Sequence, residues 1–226
     1  MRFAVVVFPG SNCDEDAAAA IHKTTSAAVD LVWHTTENLD AYDAIVLPGG
    51  FSYGDYLRSG AIAHFSSAMV GVKKAAHEGR LVLGICNGFQ VLTESGLLPG
   101  GLARNHHLQF RCEMVQLVVA NNTSPFTIDY VMNEQISIPI AHGEGRFHAE
   151  DAEIAALIEG QRVAFRYAND VNGSKSSIAG VLNMEGNVLG LMPHPERAVE
   201  TWMNSVDGRR MFTSMQRSIE EGIHAH

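Results

Sequence analysis

The stretch Arg80-Leu-Val-Leu-Gly-Ile-Cys-Asn-Gly-Phe-Gln90 joins an apolar run to a helical segment through a Gly-x-Cys-x-Gly turn. The run 81–85 is too short for a buried helix and is typical of a strand buried on both faces. Residues 87–94 have the pattern of a helix that ends at Ser95-Gly96. Such a turn exposes its central side chain at the carboxyl edge of a sheet and tolerates only small residues two positions away. The stretch predicts a nucleophile elbow at Cys86, where the helix dipole favours a thiolate; the alternative is a plain buried cysteine.

Working outward from this elbow, the first half of the chain alternates apolar strands with helices. The elements predicted there are strands over 3–8, 28–33 and 44–47 and helices over 14–21, with an acidic first turn at 14–16, and over 61–78. This alternation predicts an α/β fold with a mostly parallel, doubly wound sheet and flanking helices. Right-handed crossovers place the loops after Leu47 and Ile85 at the same carboxyl edge, where ligands bind.

The second half of the chain is less regular and predicts additional antiparallel strands with tight turns. The elements predicted there are strands over 110–120, 135–140, 163–167, 177–183 and 188–192 and helices over 151–159 and 207–221. Between them, 141–147 is a polar loop punctuated by glycines. We find no internal repeat or linker, and 226 residues suit one large domain, so we expect a single domain over 1–226.

The charge balance argues against nucleic-acid and membrane binding. The 16 basic and 25 acidic residues give a net charge of -9, and basic residues cluster only in pairs. No apolar run approaches the ~20 residues that a membrane span requires, and 1–8 lacks a cleavage pattern. We therefore expect a cytoplasmic protein whose partners are small molecules or proteins.

The three cysteines, Cys13, Cys86 and Cys112, are widely spaced. An odd number at such spacing indicates reduced thiols, not a disulfide framework or a Cys-x-x-Cys metal site. Only Cys86 lies in an elbow, so Cys13 and Cys112 are interpreted as packing residues. The eleven histidines contain no His-Glu-x-x-His motif, and we predict no metal site.

A cysteine nucleophile needs a base and a group that orients the base, and Pro193-His-Pro-Glu196 supplies both residue types. Pro195 disfavours a helical conformation at His194, so 194–196 is predicted to be extended. Residues i and i+2 of an extended chain face the same side, which lets Glu196 hold the imidazole of His194. The alternative is a rigid polar turn, but the nearby elbow motif favours the catalytic interpretation.

Two backbone NH groups are needed to stabilise the oxyanion of a tetrahedral intermediate. Elbow geometry assigns one to Asn87, and Gly50 in the glycine-rich loop 48–60 can supply the other because glycine allows close approach. His142 and Glu144 could form a second acid–base pair, but the glycines around them favour a loop that lines a pocket.

These motifs resemble those of the class I, triad-type glutamine amidotransferases, through Gly84-Ile-Cys-Asn-Gly-Phe-Gln90 and Pro193-His-Pro-Glu196. The resemblance implies the flavodoxin-like fold of that family. It also implies that Cys86 attacks the carboxamide of glutamine to give a γ-glutamyl thioester and ammonia, with His194 as acid–base and Glu196 as its orienting group.

Further motifs look like those of the glutaminase subunits of separate-subunit phosphoribosylformylglycinamidine synthases. They are Phe8-Pro-Gly-Ser-Asn-Cys13, the stretch 48–60, Ala141-His-Gly-Glu-Gly145 and Met192-Pro-His-Pro-Glu-Arg197. The resemblance implies a glutamine pocket near Gly50, Phe51 and Gln90. It also implies two protein partners, a large synthetase subunit and a small third subunit.

The same resemblance implies that this chain needs no cofactor, and that the synthetase subunit uses ATP and Mg. The absence of a Gly-x-x-x-x-Gly-Lys-Ser/Thr motif agrees with a nucleotide site on another polypeptide. Within 53–60, Tyr53, Tyr56, Leu57 and Arg58 are predicted to form an exposed patch of the kind enriched at interfaces.

Two alternatives stay open from sequence. One is a glutaminase for another ammonia acceptor, such as a nucleotide or chorismate. The other is a non-catalytic binding or stress protein with a reactive elbow cysteine, which would have no need for the His-Pro-Glu unit.

Overall fold

A nine-stranded sheet forms the centre of the computed structural model, which describes residues 1–223. The strands are β1 (Arg2–Val7), β2 (Ala28–Trp33), β3 (Ala44–Leu47), β4 (Leu81–Ile85), β5 (Gly101–Ala103), β6 (Arg111–Val119), β7 (Gln135–His142), β8 (Arg146–His148), β9 (Val163–Tyr167), β10 (Ile178–Leu182) and β11 (Val188–Leu191). The helices are α1 (Asp14–Thr24), α2 (Ala68–His77), α3 (Asn87–Glu94), α4 (Asp151–Glu159) and α5 (Arg209–Glu221). The sheet order is β2-β1-β3-β4-β11-β10-β9-β6-β7, and β5 pairs with β8 separately.

The first part of the sheet, β2-β1-β3-β4-β11, is parallel throughout. Every residue of β3 and β4 is buried, as expected for central strands covered by helices on both faces. Ile85 at the end of β4 is paired with Leu191 at the end of β11. The segments that follow these two strands therefore leave the same edge of the sheet side by side, and the α/β prediction is confirmed.

The second part of the sheet, β10-β9-β6-β7, is antiparallel, as predicted. β7 lies at its edge, and two of its outward-facing backbone groups have partners outside the sheet. The NH of Ser137 donates to Asp207 Oδ2 at 2.7 Å, and the carbonyl of Pro139 accepts the NH of His194 at 2.8 Å. The edge strand thus holds the backbone of a predicted catalytic residue.

Beyond shifts of up to three residues at the ends of elements, the structure differs from the predictions in three places. The helix predicted over 61–78 is split into a 3-10 turn at Ala63–Phe65 and α2, because Ser66 adopts an extended conformation with ψ 153°. The loop predicted over 141–147 shortens to 143–145, because the β6–β7 register continues to His142 and β8 begins at Arg146. The strands β5 and β8 were not predicted, since three residues are too few to show a period.

The single-domain interpretation of 1–226 stays a prediction, and 224–226 lie outside the described residues. It is supported by the one sheet that carries nine of the eleven strands in the described part of the chain. Within 1–223, no helix combines the length and the apolar character needed to cross a bilayer.

Candidate active site

The turn between β4 and α3 is a strained elbow centred on Cys86. Cys86 has φ 50° and ψ -103°, a conformation that a non-glycine residue adopts only when its surroundings impose it. The flanking glycines explain how the turn fits. A Cβ on Gly84 would lie 2.5 Å from Leu92 Cδ1, and a Cβ on Gly88 would lie 2.0 Å from the carbonyl oxygen of Leu47. These close distances explain why only glycine fits two residues before and two residues after Cys86.

The thiol of Cys86 is buried, with 5% of the residue exposed, at the amino terminus of α3. It lies 3.7 Å from the carbonyl oxygen of Ala141, to which it donates a weak hydrogen bond. The positive end of the α3 dipole acts on the sulfur. The arrangement is one in which a thiol can become a nucleophile.

A cavity of about 150 Å³ opens beside Cys86. Gly50, Phe51 and Gln90, which the resemblance places near glutamine, line it together with Cys86. The segment 141–144 forms another wall, which agrees with the predicted pocket-lining role of His142 and Glu144. Asp55, Ser59 and Phe110 complete the lining. Asn87, His194 and Glu196 do not line this cavity.

His194 and Glu196 form a buried hydrogen-bonded pair. Nδ1 of His194 lies 2.6 Å from Oε1 of Glu196, and both side chains are almost fully buried. The prediction that 194–196 is extended is wrong, because Pro195–Arg197 forms a 3-10 turn. Proline suits the first position of such a turn as well as an extended chain, and His194 itself keeps the non-helical φ of -105° expected before proline. The carboxylate thus reaches the imidazole across a turn.

The protonation of His194 is controlled by its buried neighbours. Burial alone lowers the pKa of His194, but the carboxylate of Glu196 and then the thiols of Cys86 and Cys13 raise it, and the pKa lies well above its usual value. Nε2 of His194 is buried and makes no hydrogen bond within the described residues. With Nδ1 committed to Glu196, Nε2 is the nitrogen left to exchange a proton with Cys86 or a substrate.

Cys13 also lies beside this pair, which was not predicted from the sequence. Polar atoms of Cys13, His194 and Glu196 lie within 4.8 Å of one another, and Nη2 of Arg197 donates a hydrogen bond to Cys13 Sγ at 3.2 Å. Cys13 is buried, as a packing residue should be, but it belongs to a polar cluster. The spacing could suit a metal ion, but the guanidinium at the sulfur brings a positive charge that opposes one, and we assign no metal here.

Cys112 is exposed on β6, so its interpretation as a packing residue is wrong. It is paired with Ala141 of β7, and the alternation of side chains along β6 places it on the solvent face. The thiols therefore occupy three different settings. Cys86 alone combines an elbow with a cavity wall.

The loop that carries Gly50 is attached to α3 by the side chain of Asn87. Oδ1 of Asn87 accepts the NH of Ser52 at 3.1 Å, and Nδ2 donates to Asp55 at 3.2 Å and to Gln90 at 2.9 Å. Gly50 has φ 136°, and a Cβ there would lie 2.5 Å from the NH nitrogen of Asn12. Within the described residues the NH of Gly50 donates no hydrogen bond. The predicted oxyanion role of the Gly50 and Asn87 NH groups stays a prediction.

His142 is a neutral imidazole held in one tautomer. Asn105 Nδ2 donates to the carbonyls of His142 and Gln109, and Asn105 Oδ1 accepts the NH of Gly145. Nδ1 of His142, 3.1 Å from the same oxygen, must therefore carry a proton. Burial and then the charge of His194 lower the pKa of His142 to about 4. A group this hard to protonate is poorly suited to act as a general acid.

The acidic side of the cavity consists of Asp55 and Glu144. Burial and, more weakly, the nearby Glu144 raise the pKa of Asp55, whereas the hydrogen bond from Asn87 lowers it. Ser59 Oγ donates to Glu144 Oε2 at 3.0 Å. Sequence reasoning assigned no role at the site to Asp55, Ser59 or Arg197, and it interpreted Cys13 as a packing residue. All four residues lie inside motifs on which the resemblance rests, but no sequence spacing indicated that any one of them lies at the site.

This chain belongs to the CobB/CobQ-like glutamine amidotransferase family, whose domain matches residues 1–220. The resemblance to the class I glutamine amidotransferases is confirmed.

Within that class, the chain is 48% identical to a solved structure of PurLQS from Thermotoga maritima. That match has a TM-score of 0.90 and covers 96% of this chain and 98% of the other.

Two other solved structures are similar in fold alone. A putative GMP synthase protein from Thermoplasma acidophilum is 17% identical, with a TM-score of 0.66 over 98% of this chain and 96% of the other. A glutamine amidotransferase from Thermotoga maritima is 16% identical, with a TM-score of 0.55 over 98% of this chain and 92% of the other.

Proposed function

We propose that this chain is the glutaminase subunit of a phosphoribosylformylglycinamidine synthase. It hydrolyses glutamine to glutamate and ammonia, and a synthetase subunit uses the ammonia and ATP to convert formylglycinamide ribonucleotide to formylglycinamidine ribonucleotide in purine biosynthesis. The likeness to PurLQS from Thermotoga maritima supports the acceptor. The observation that carries the chemistry is the strained Cys86 elbow, which opens on a cavity of about 150 Å³.

In the proposed mechanism, Cys86 is the nucleophile and His194 is the acid–base. The sulfur attacks the carboxamide carbon of glutamine, and the thiol proton moves to Nε2 of His194. The tetrahedral intermediate carries its negative charge on oxygen, near the NH groups of Gly50 and Asn87. His194 then protonates the departing nitrogen, so that ammonia leaves and a γ-glutamyl thioester forms. Water, deprotonated by His194, then attacks the thioester carbon, and the carbon–sulfur bond breaks as His194 returns the proton to the Cys86 sulfur, which releases glutamate.

The chain's other side chains hold this machinery in place. Glu196 fixes the tautomer of His194 through the 2.6 Å hydrogen bond and stabilises the imidazolium. Asn87 ties the Gly50 loop to the helix that carries the nucleophile. Asp55 and Glu144 give the cavity a negative wall, which suits the α-ammonium group of an amino acid. We place the glutamine side chain toward Cys86 and its ammonium group toward Asp55 and Glu144, between Phe51 and Gln90.

The assembly we propose contains a large synthetase subunit with a small third subunit, in the cytoplasm. In this proposal, this chain uses no cofactor, and the synthetase subunit uses ATP and Mg. The absence of a P-loop motif from this sequence supports this assignment.

The test is to co-express the chain with the two partner subunits and to assay glutamate and formylglycinamidine ribonucleotide separately. We expect glutamine-dependent product formation that requires ATP and formylglycinamide ribonucleotide. Glutamate release with no such product would favour a different ammonia acceptor. No glutamate release by the assembled complex would favour a non-catalytic protein with a reactive cysteine and would refute the proposal.

A further inference from the structure

A second buried thiol, Cys13, lies within 4.8 Å of polar atoms of the His194–Glu196 pair although it does not line the cavity. Its backbone is fixed at the start of α1, where its carbonyl accepts the NH of Ala17 at 2.9 Å and its NH donates to Gly49 at 3.3 Å. A Cβ on Gly49 would lie 3.3 Å from Cys13 Sγ and 2.7 Å from His194 Cε1. The sulfur and the imidazole edge therefore pack against the same backbone atom, with no room for a side chain at position 49.

Arg197 holds the sulfur from another direction. Its Nη2 lies 3.2 Å from Cys13 Sγ, and its guanidinium is fixed by Asp16 Oδ2 at 3.1 and 3.2 Å. The NH of Arg197 donates to the carbonyl of His194 at 3.1 Å, which closes the 3-10 turn that carries Glu196. The guanidinium, the thiol and the imidazole thus form one connected unit.

We propose that Cys13 is a positioning residue for His194. In the glutaminase proposed above, on which this inference rests, Cys13 Sγ supports the imidazole edge while Glu196 binds Nδ1, so Nε2 stays directed at Cys86. Removing the sulfur leaves a space beside the ring and frees Arg197 from one of its partners. The imidazole then gains freedom to rotate, and its hydrogen bond to Glu196 weakens.

Cys13 should also affect the protonation of His194. The groups that act on His194 are Glu196, Cys86 and Cys13, which favour the imidazolium, and His142, which opposes it when protonated. Arg197 lies behind Cys13 as a fixed cation. Since the thiol of Cys13 raises the pKa of His194, its removal should lower that pKa.

The experiment compares wild type with Cys13→Ala, Cys13→Ser and Arg197→Lys, with Cys112→Ala as the control because that thiol is exposed on β6. The first readout is the pH profile of glutamine hydrolysis by the assembled complex. The second is an NMR titration of the imidazole nitrogens of His194, which needs no activity. Folding of each variant is checked by thermal unfolding, and the serine and lysine variants test the idea if Cys13→Ala does not fold.

We expect Cys13→Ala to lower kcat roughly 10- to 100-fold with KM little changed, because misplacing a catalytic group by about 1 Å costs up to 10²-fold. The His194 titration and the matching limb of the pH profile should both move to lower pH. Cys13→Ser should recover part of the loss, since a hydroxyl can also accept from Arg197, and Cys112→Ala should behave as wild type.

Unchanged His194 titration and unchanged kcat in folded Cys13 variants would overturn the inference and leave the proposed glutaminase intact. Equal losses in Cys13→Ser and Cys13→Ala, with no shift of the titration, would also overturn it by indicating a purely structural role. A wild-type complex that cannot hydrolyse glutamine would instead refute the proposed function, while the NMR titration still decides whether Cys13 acts on His194.

Discussion

Nδ1 of His194 lies 2.6 Å from Oε1 of Glu196, and neither side chain is more than 3% exposed. The hydrogen bond sets which imidazole nitrogen is free, and it places a negative charge where an imidazolium would form. Because Pro195 and the 3-10 turn fix the backbone between the two residues, the pair is formed before any substrate binds.

Glu196→Gln tests the role of this carboxylate. The amide can still reach Nδ1, but it has no charge to stabilise the imidazolium and can hold the wrong tautomer. We expect glutamine turnover to fall by up to about 10⁴-fold, with slow thioester formation still detectable. The pKa of His194 should fall, because the Glu196 carboxylate is the strongest group that raises it. Unchanged turnover across the pH range would remove Glu196 from the mechanism.

Cys86→Ala tests the nucleophile in the assembled complex. We expect glutamine-dependent synthesis to be lost while synthesis from added ammonia continues, because the acceptor site is proposed to lie on the synthetase subunit. Cys112→Ala, at an exposed thiol on β6, is the matched control and should keep both activities. Glutamine hydrolysis by a Cys86→Ala complex would rule out the assignment.

Gly88→Ala tests the packing of the elbow. The added methyl group would lie 2.0 Å from the carbonyl oxygen of Leu47, so α3 must shift away from β3. Overpacking of this kind typically costs about 1–3 kcal/mol of unfolding free energy, and the shift should also lower glutamine turnover. Gly101→Ala is the control, since a Cβ there meets nothing within 4 Å. Equal denaturant midpoints for the two variants would contradict this account.

Asn87→Ala tests the link between α3 and the loop of Gly50. The change removes the acceptor of the Ser52 NH and the donor to Asp55 and Gln90. If the loop then drifts, one oxyanion donor is lost, which typically costs ~10²–10³ in turnover. The KM for glutamine should rise as well, because Gln90 lines the cavity. Wild-type kinetics in a folded Asn87→Ala complex would show that the loop is held by other contacts.

His142 gives a prediction for stability against pH. Its pKa is lowered to about 4 in the folded protein, against about 6.5 in the unfolded chain. Between these values the unfolded state binds more protons, so the free energy of unfolding falls as pH falls from about 6.5 to about 4. The shift corresponds to a loss of up to about 3 kcal/mol. Denaturant titrations of His142→Gln should lack this part of the pH dependence, and an identical slope in both proteins would contradict it.

The parts of the fold that sequence reasoning predicted share a strong local signal. The limits of β2, β3, β4, α3, α4 and β9 agree with the predictions, because apolar runs or helical periods end at glycine, serine or charged residues there. The helix is interrupted by the extended backbone of the single residue Ser66, whose hydroxyl makes no hydrogen bond within the described residues. The two strands of three residues depend on pairing with each other. Neither the helix interruption nor the two short strands can be recognised from a short stretch of sequence alone.

The site shows the same division. Cys86, His194 and Glu196 could be selected from the sequence because their motifs have rigid spacing, and their catalytic roles stay predictions. Cys13 was missed because its proximity to His194 joins residues far apart in sequence.

The exposed patch predicted over 53–58 is only partly right. Tyr56 and Leu57 are 74% and 88% exposed, and the Arg58 side chain is 65% exposed while it binds Glu94. Tyr53, in contrast, is half-buried, and its hydroxyl lies 2.8 Å from His34 Nδ1.

In the proposed mechanism, Cys86 forms a γ-glutamyl thioester with glutamine. The most direct measurement is mass spectrometry of peptides from the assembled Glu196→Gln complex, quenched in acid soon after glutamine is added. The three cysteines can be resolved on separate peptides, so the adduct can be assigned to one residue. We predict a γ-glutamyl adduct on the peptide that contains Cys86 and none on those with Cys13 or Cys112. An adduct on Cys13, or none on any cysteine while glutamate is still released, would contradict the account.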